Sequence, residues 1–422
     1  MNTNKTVSVI GLGYIGLPTA TMFAQHGVRV IGVDVNQFAV ETINQGKIHI
    51  VEPDLDTAVH QCVSQGTLKA TLTPEKADAF LIAVPTPFKG DNYEPDLSYI
   101  EAACKAIAPV LEKGNLVILE STSPVGATEK MADWLALARP DLSFPQHQGE
   151  NSDIRIAHCP ERVLPGQVMR ELIENDRIVG GMTNKCSQQA AQLYKIFVKG
   201  DCIITNSRTA EMCKLTENSF RDVNIAFANE LSIICDKLNI NVWELISLAN
   251  RHPRVNILQP GCGVGGHCIA VDPWFIVNKT PELAKIIHTA RLVNDSKPEW
   301  VIGKVNDAVI QVLQTTGKNI QDIKIACLGL AFKPDIDDLR ESPALKITEK
   351  LADKYPNQIY AVEPNIEQLP EKLAAKNIQL IPLKQALDSV DVIVVLVDHC
   401  EFKQVNSILG KAVVDTKGIW SE

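Results

Sequence analysis

The segment Gln259-Pro260-Gly261-Cys262-Gly263-Val264-Gly265-Gly266-His267-Cys268-Ile269-Ala270-Val271-Asp272-Pro273-Trp274 gathers more reactive side chains than any other stretch of the chain. Glycine-rich backbone lets a ligand come within contact distance of a thiol. A thiol that acts as a nucleophile also needs cations or N–H donors beside it, and His267 and Lys214 could supply charge. Asp272, four residues beyond Cys268, could orient a water or take up a proton. Spacing does not choose between Cys262 and Cys268, and either could instead be a small buried hydrophobe.

A second constellation precedes it. Lys214, Asn218 and Arg221 sit at i, i+4 and i+7, which places them on one face of a helix. Such a set alone would read as a solvated surface. The nearby cysteine loop gives it a chemical partner.

A third motif lies at the start. Gly11-Leu12-Gly13-Tyr14-Ile15-Gly16 follows the apolar run Val7–Ile10 and opens a helical stretch. Here Gly11 would permit the tight turn, Gly13 would admit a pyrophosphate against the backbone, and Gly16 would allow close helix–strand packing. The free N–H groups of the helix then face the phosphates. Asp34 ends the next strand, 18 residues beyond Gly16. A carboxylate there accepts from the adenosine ribose hydroxyls and repels a 2′-phosphate, so NAD is expected rather than NADP. Thr86, Thr122 and Thr128 follow later strands and could either contact this cofactor or cap helices.

These groups need a scaffold, and the chain falls into three regions. The first, about 5 to 200, alternates short apolar runs (Val7–Ile10, Val28–Val33, Phe80–Val84, Leu116–Leu119) with helical stretches such as Tyr14 to His26. Repeated β-α-β units imply a parallel sheet covered by helices on both faces. From about 206 to 300 the pattern is helical, with Met212, Leu215, Val223, Phe227, Leu231 and Ile234 close to a 3.6-residue period. The third, from about 318, returns to α/β, with strands expected at Ile323–Leu330, Val390–Val397 and Ala412–Val414.

Composition narrows the function classes. The 422 residues are 45% hydrophobic and 22% charged, as in ordinary globular proteins, and allow two or three domains. A net charge of −9 makes a nucleic-acid partner unexpected. No apolar run reaches the roughly 18 residues that span a bilayer, and the N-terminus has no apolar signal core, so no membrane partner and a cytoplasmic setting are expected. The 11 cysteines have no Cys-x-x-Cys spacing, and no His-Glu-x-x-His is present, so no metal site is expected. None of the six tyrosines has a lysine four residues on, which removes the Tyr-x-x-x-Lys epimerase reading. A plain hydroxyacid dehydrogenase would leave the third region and the cysteine loop without a task. A non-catalytic NAD-binding protein would not explain that loop.

Taken in order, Gly11–Gly16, Cys159-Pro160-Glu161-Arg162-Val163-Leu164-Pro165-Gly166, Glu211-Met212-Cys213-Lys214-Leu215-Thr216-Glu217-Asn218, Gly265-Gly266-His267-Cys268 and Phe332-Lys333-Pro334-Asp335-Ile336-Asp337-Asp338-Leu339-Arg340 resemble the nucleotide-sugar 6-dehydrogenase family over nearly the full length. The resemblance implies two Rossmann-like parallel-sheet domains flanking a central helical dimerisation region: NAD-binding residues 1–205, a helical and catalytic region 206–300, and a UDP-sugar-binding domain 301–422. It implies a homodimer that oxidises C6 of a UDP-sugar twice, to a uronic acid for cell-surface polysaccharide of the common-antigen type. It makes Cys268 the nucleophile, with Lys214, Asp272, Asn218 and Glu161 as its catalytic partners. Arg162, Val163, Lys214, Asn218, Arg221, His252, Arg254, Gly265, Phe332, Lys333 and Lys417 match substrate positions. Tyr14, Ile15, Asp34, Thr86, Thr128 and Arg340 match positions around NAD. One departure concerns the sugar. UDP-glucose members follow the glutamate with an aromatic residue and precede the aspartate with lysine, whereas Arg162 and Val271 stand here. That difference fits a 2-acetamido sugar.

Overall fold

The computed structural model describes residues 5–420 apart from Asp91, Pro165, His267, Asn406, Ser407 and Leu409. The charge expected of His267 therefore lies outside the described residues. The chain forms two compact units, Met1–Glu217 and Asn218–Glu422. The division falls inside the helix Ser207–Leu238, and the expected boundary at residue 300 falls inside the helix Lys285–Thr316.

The first unit is built on an eight-stranded sheet. From one edge the strands are Leu68–Thr71, Arg29–Val33, Thr6–Ile10, Ala79–Ile82, Leu116–Leu119, Arg155–His158, Arg177–Gly181 and Cys202–Asn206. The first six run parallel, and Arg177–Gly181 pairs antiparallel to Arg155–His158. Apolar clusters fill both faces, around Val9, Leu17, Phe23 and Leu81 on one and Ile10, Phe80, Ile107 and Leu135 on the other. Sheets buried on both faces need continuous apolar strands, and Ala79–Ile82 and Leu116–Leu119 are buried at every residue. Strand order reverses at Thr6–Ile10, so a crevice opens beyond the carboxyl end of that strand.

In the second unit the five strands are all parallel, in the order Gln379–Leu380, Ile359–Val362, Ile325–Leu328, Val392–Val395, Ala412–Asp415. This is the same half-sheet topology, and its strands are shorter at their ends than the apolar runs suggest. The extra apolar residues, such as Leu330 and Val397, pack in the strand-end loops rather than in the ladder.

The helical part of this unit inverts the usual burial. From residue 218 onward, Ser219, Asp222, Asn229 and Ser232 of the helix Ser207–Leu238 are buried. Meanwhile Phe220 is 69% exposed, Phe227 51%, Ile234 44% and Leu238 60%. The polar residues are buried because they bond one another. Asp222 takes the Arg291 guanidinium at 2.6 Å and the Asn294 amide at 2.8 Å. Asn294 accepts from Asn229 at 2.9 Å, and Asn229 accepts the Gly261 N–H at 2.9 Å. The entrance to the cysteine loop is thereby tied to the helices.

Candidate active site

In the first unit the glycine motif forms the turn expected of it. Gly11 has φ +91°, and a Cβ there would come within 2.5 Å of the Ala83 carbonyl oxygen. A Cβ on Gly16 would fall 1.8 Å from the Gly11 oxygen. Gly13 faces open space instead, so nothing in the chain itself forbids a side chain there. The open backbone, followed directly by the helix Gly16–Gln25, fits a pyrophosphate approaching N–H groups. Tyr14 is exposed and Ile15 half-buried beside it. Asp34 is fixed by accepting the Leu12 N–H and the Asn36 N–H, each at 2.8 Å. Beyond the neighbouring strand, the Thr86 hydroxyl is buried and makes no hydrogen bond among the described residues.

The other threonines differ. Thr122 is half-buried in the loop after Leu116–Leu119. Thr128 is fully buried, and Glu211 claims it: the carboxylate accepts the Thr128 N–H at 2.8 Å, its hydroxyl at 2.6 Å and the Gly126 N–H at 2.7 Å. The group that caps Ala127–Ala138 is therefore Glu211, whose carboxylate satisfies otherwise unpaired donors at the helix start.

Glu161 and its neighbours lie on the loop after Arg155–His158. Glu161 is 7% exposed; one carboxylate oxygen accepts the Arg162 N–H at 2.7 Å and the other stands 3.0 Å from the Arg177 guanidinium. Arg162 pairs with Glu217 at 2.6 Å, and Val163 packs on the apolar cluster. Glu52, buried, accepts the Gly166 and Val168 N–H groups at 2.9 and 2.8 Å and anchors the far end of this loop. Lys214 is half-buried on the helix Ser207–Leu238, one turn before Asn218.

In the second unit the two cysteines of the loop separate. Cys262 is buried, donates to the Leu396 carbonyl at 3.5 Å, and burial pushes its thiol up to about 11. Cys268 is half-exposed. Its carbonyl accepts the N–H groups of Val271 and Asp272 at 3.1 and 2.8 Å, so it leads straight into the helix Asp272–Lys279. Asp272, 3% exposed in that helix's first turn, accepts the Asn218 amide at 2.5 Å. The helix dipole favours an anion there. Asn218 is thus no solvated residue, while Arg221 on the same helix is exposed.

The glycines of the loop are pressed against the second sheet's connections. A Cβ on Gly265 would lie 2.8 Å from Phe332 Cβ and 2.7 Å from Pro343 Cδ. Lys417 is paired with Asp398 at 3.2 Å, and its Nζ would lie 3.5 Å from a Cβ on Gly261. Gly265, Phe332 and Lys417 are thereby gathered around the cysteine loop. Lys333 is exposed beside Phe332, and Arg340 is held by Asp338 at 2.6 Å. His252 and Arg254 lie outside that cluster on an exposed turn, where the Arg254 N–H donates to His252 Nδ1 at 3.3 Å. Among the described residues no group of three His, Cys, Asp or Glu is placed to hold a metal ion.

The chain matches three successive family models: the NAD-binding domain of the UDP-glucose/GDP-mannose dehydrogenase family at residues 5–198, its central domain at 208–296 and its UDP-binding domain at 326–422. The chain belongs to the UDP-glucose/GDP-mannose dehydrogenase family. It is an NAD-dependent nucleotide-sugar dehydrogenase. It is 70% identical over 408 residues to a UDP-N-acetyl-D-mannosamine dehydrogenase of Campylobacter jejuni, covering 96% of this chain and 98% of the relative. An NDP-N-acetyl-D-galactosaminuronic acid dehydrogenase of Ralstonia nicotianae is 62% identical, at 99% and 96% coverage. Among solved structures, a UDP-D-ManNAc dehydrogenase of Pyrococcus horikoshii is 40% identical with TM-score 0.88, at 99% and 96% coverage.

Several structural residues of the enzyme carry no motif. Arg177, Glu120, Glu52 and Asp222 are far in sequence from the groups they hold. A buried charge is their only local signal. Glu363 has a parallel to Asp34 as its signal: it follows the second strand of its own sheet and accepts the Leu330 N–H at 2.8 Å. His399 Nε2 lies 3.0 Å from the same carboxylate.

Proposed function

We propose that the enzyme oxidises C6 of UDP-N-acetyl-D-mannosamine twice to the uronic acid, with Cys268 as the covalent nucleophile. The observation that carries this reading is the contrast between the two loop cysteines. Cys262 is sealed against Leu396, whereas Cys268 is half-exposed and followed by the Asp272–Asn218 pair. The sugar is supported by the relatives named above and by Arg162 and Val271 standing where UDP-glucose members carry other groups.

NAD, when bound, accepts the hydride in each oxidation. Lys214 stabilises the alkoxide that develops at O6. Cys268 captures the resulting aldehyde as a thiohemiacetal, so a reactive carbonyl is not released; the second oxidation makes it a thioester. Asp272, held by Asn218, and Glu161 orient the water that cleaves the thioester to carboxylate and free thiol. On the cofactor side, Gly11, Gly13, Gly16 and Asp34 form the cradle, with Tyr14, Ile15, Thr86 and Thr122 beside it. Phe332, Lys333, Lys417, Gly265, Arg254, His252, Arg221, Arg162 and Val163 are assigned to the UDP-sugar, and cations among them balance its diphosphate. A second reading, a galacto-configured 2-acetamido sugar, is favoured by the Ralstonia relative.

Purified enzyme is expected to form two NADH per sugar, with UDP-N-acetylmannosamine preferred over UDP-glucose, UDP-N-acetylglucosamine and UDP-N-acetylgalactosamine. One NADH per sugar would remove the thioester. Preference for the galacto isomer would keep the mechanism and change the substrate.

The working unit is a homodimer, in a cytoplasm that supplies NAD and nucleotide sugars. Exposed Phe220, Phe227 and Ile234 fall about two turns apart along one helix, with Leu238 one turn further. Phe227 and Ile286 also border a groove lined by Ala226, Ala290 and Val293. Exposed apolar stripes of this kind mark protein contacts. Among the described residues, no helix is long and apolar enough to cross a membrane. The enzyme should sediment at twice the mass of its chain and Phe227→Glu at once; a wild-type single chain with full activity would refute the dimer.

A further inference from the structure

The first unit buries two carboxylates around one cation. Arg177, 4% exposed on the strand Arg177–Gly181, lies 3.0 Å from Glu161 and 3.8 Å from Glu120. Tyr194, from the helix Asn184–Tyr194, donates its hydroxyl to Glu120 at 2.6 Å and stacks its ring 4.6 Å from the guanidinium carbon. Cys159 approaches Arg177 at 3.9 Å. Thr19, from the helix Gly16–Gln25, offers its hydroxyl to Glu120 at longer range.

Charge does not balance if both carboxyls are ionised. One guanidinium against two carboxylates leaves a net negative charge away from water, a state that proteins relieve by protonating one group. Geometry selects which one. Glu161 is nearer the cation, keeps a small solvent exposure and accepts a backbone N–H. Glu120 is farther away, its side chain has no exposure, and its second oxygen is buried without a hydrogen bond. The proton belongs on Glu120.

We propose that Arg177 is a positioning residue for Glu161, and that Glu120 is a proton-carrying competitor for the same guanidinium. While Glu120 is neutral, Arg177 is left to Glu161. When Glu120 ionises, the cation is divided between the two and its hold on Glu161 loosens. The 3.0 Å approach to Glu161 is not aligned as a hydrogen bond, so the guanidinium has room to shift. Burial, opposed by Arg177, lifts the Glu120 carboxyl to about 7, which places the exchange in the working range of a cytoplasmic enzyme. Cys159 and Tyr194 are pushed upward by burial and stay neutral there.

This inference rests on the reading of Glu161 as a group that acts in thioester cleavage, and its test separates the two. Glu120→Gln fixes a neutral, similarly shaped group. The ratio of its kcat to that of the wild type is expected to stay near one at about pH 6 and to rise several-fold above about pH 8, because only the wild type loses its clamp. Taking the ratio cancels ionisations common to both proteins. Infrared titration of the free enzymes, read as wild type minus Glu120→Gln so that the other buried carboxyls cancel, should show one protonated carboxyl that disappears as pH rises through about 7. A pH-independent ratio, or a wild-type-minus-Glu120→Gln difference spectrum with no carboxyl band titrating near 7, would overturn the proposal. Glu161→Gln with unchanged kcat would instead overturn the catalytic reading of Glu161, while the infrared result still decides where the proton resides.

Discussion

Cys268→Ser should abolish net oxidation to the uronic acid, with kcat reduced by at least ~10³-fold. A serine hydroxyl is a far weaker nucleophile at neutral pH and gives an ester in place of a thioester, so both capture and cleavage suffer. The paired control is Cys262→Ser. That thiol is buried and spent on Leu396, and burial holds it well above neutrality. Its replacement should leave kcat within a few-fold, with a modest loss of stability, as for a small core substitution. Intact-protein mass spectrometry after rapid quenching should find a sugar adduct on wild-type protein and none on Cys268→Ser. Full turnover by Cys268→Ser together with an inactive Cys262→Ser would transfer the nucleophile to Cys262.

Asp222→Ala should cost about 3–5 kcal/mol, the range for removing one partner of a buried ion pair. Arg291 and Asp222 are 1% and 0% exposed at their side chains, so neither can turn to water. Arg291 keeps Asp295, whose side chain is 44% exposed, but loses its fully buried partner. Asn294 loses an acceptor as well, and the chain of amides through Asn229 to the Gly261 N–H loses its anchor. Stability should therefore fall together with order in the cysteine loop. For a unit of this size the unfolding midpoint should drop by roughly 10 °C, read by circular dichroism or calorimetry. Asp222→Asn, which keeps the shape and part of the hydrogen bonding, should fall between. A midpoint shift of less than about 2 °C in Asp222→Ala would mean that the network does not bear on stability.

Much of this enzyme can be read along the chain because its chemistry is local there. Gly11 and Gly16 are diagnostic through their spacing around one turn, since a Cβ on either would collide with the carbonyl oxygen of Ala83 or of Gly11. Strands buried on both faces show as runs such as Leu116–Leu119, and the half-sheet of the second unit is announced in the same way. Asn218 and Asp272 were both singled out from the sequence, yet their 2.5 Å bond joins positions 54 apart, a distance that only folding closes.

What the tertiary structure decided was pairing and burial. Cys262 and Cys268 are equivalent by composition; packing against Leu396 seals one and leaves the other half-exposed. Thr128 gives its hydroxyl to Glu211, 83 residues away, a partner that no local pattern shows. The apolar period of the central helix suggests a core face, yet the fold buries Asp222 and Asn229 and leaves Phe220 and Phe227 outside. Arg177, Glu120 and Glu161 come from three separate segments, and nothing in any one segment shows that they share a charge. Periodicity and turn chemistry are properties of neighbouring residues, so the sequence displays them. Which thiol is sealed, which carboxyl keeps its proton and which apolar face is left for a partner depend on the dielectric and on partners brought from elsewhere in the chain, and those exist only once the protein has folded.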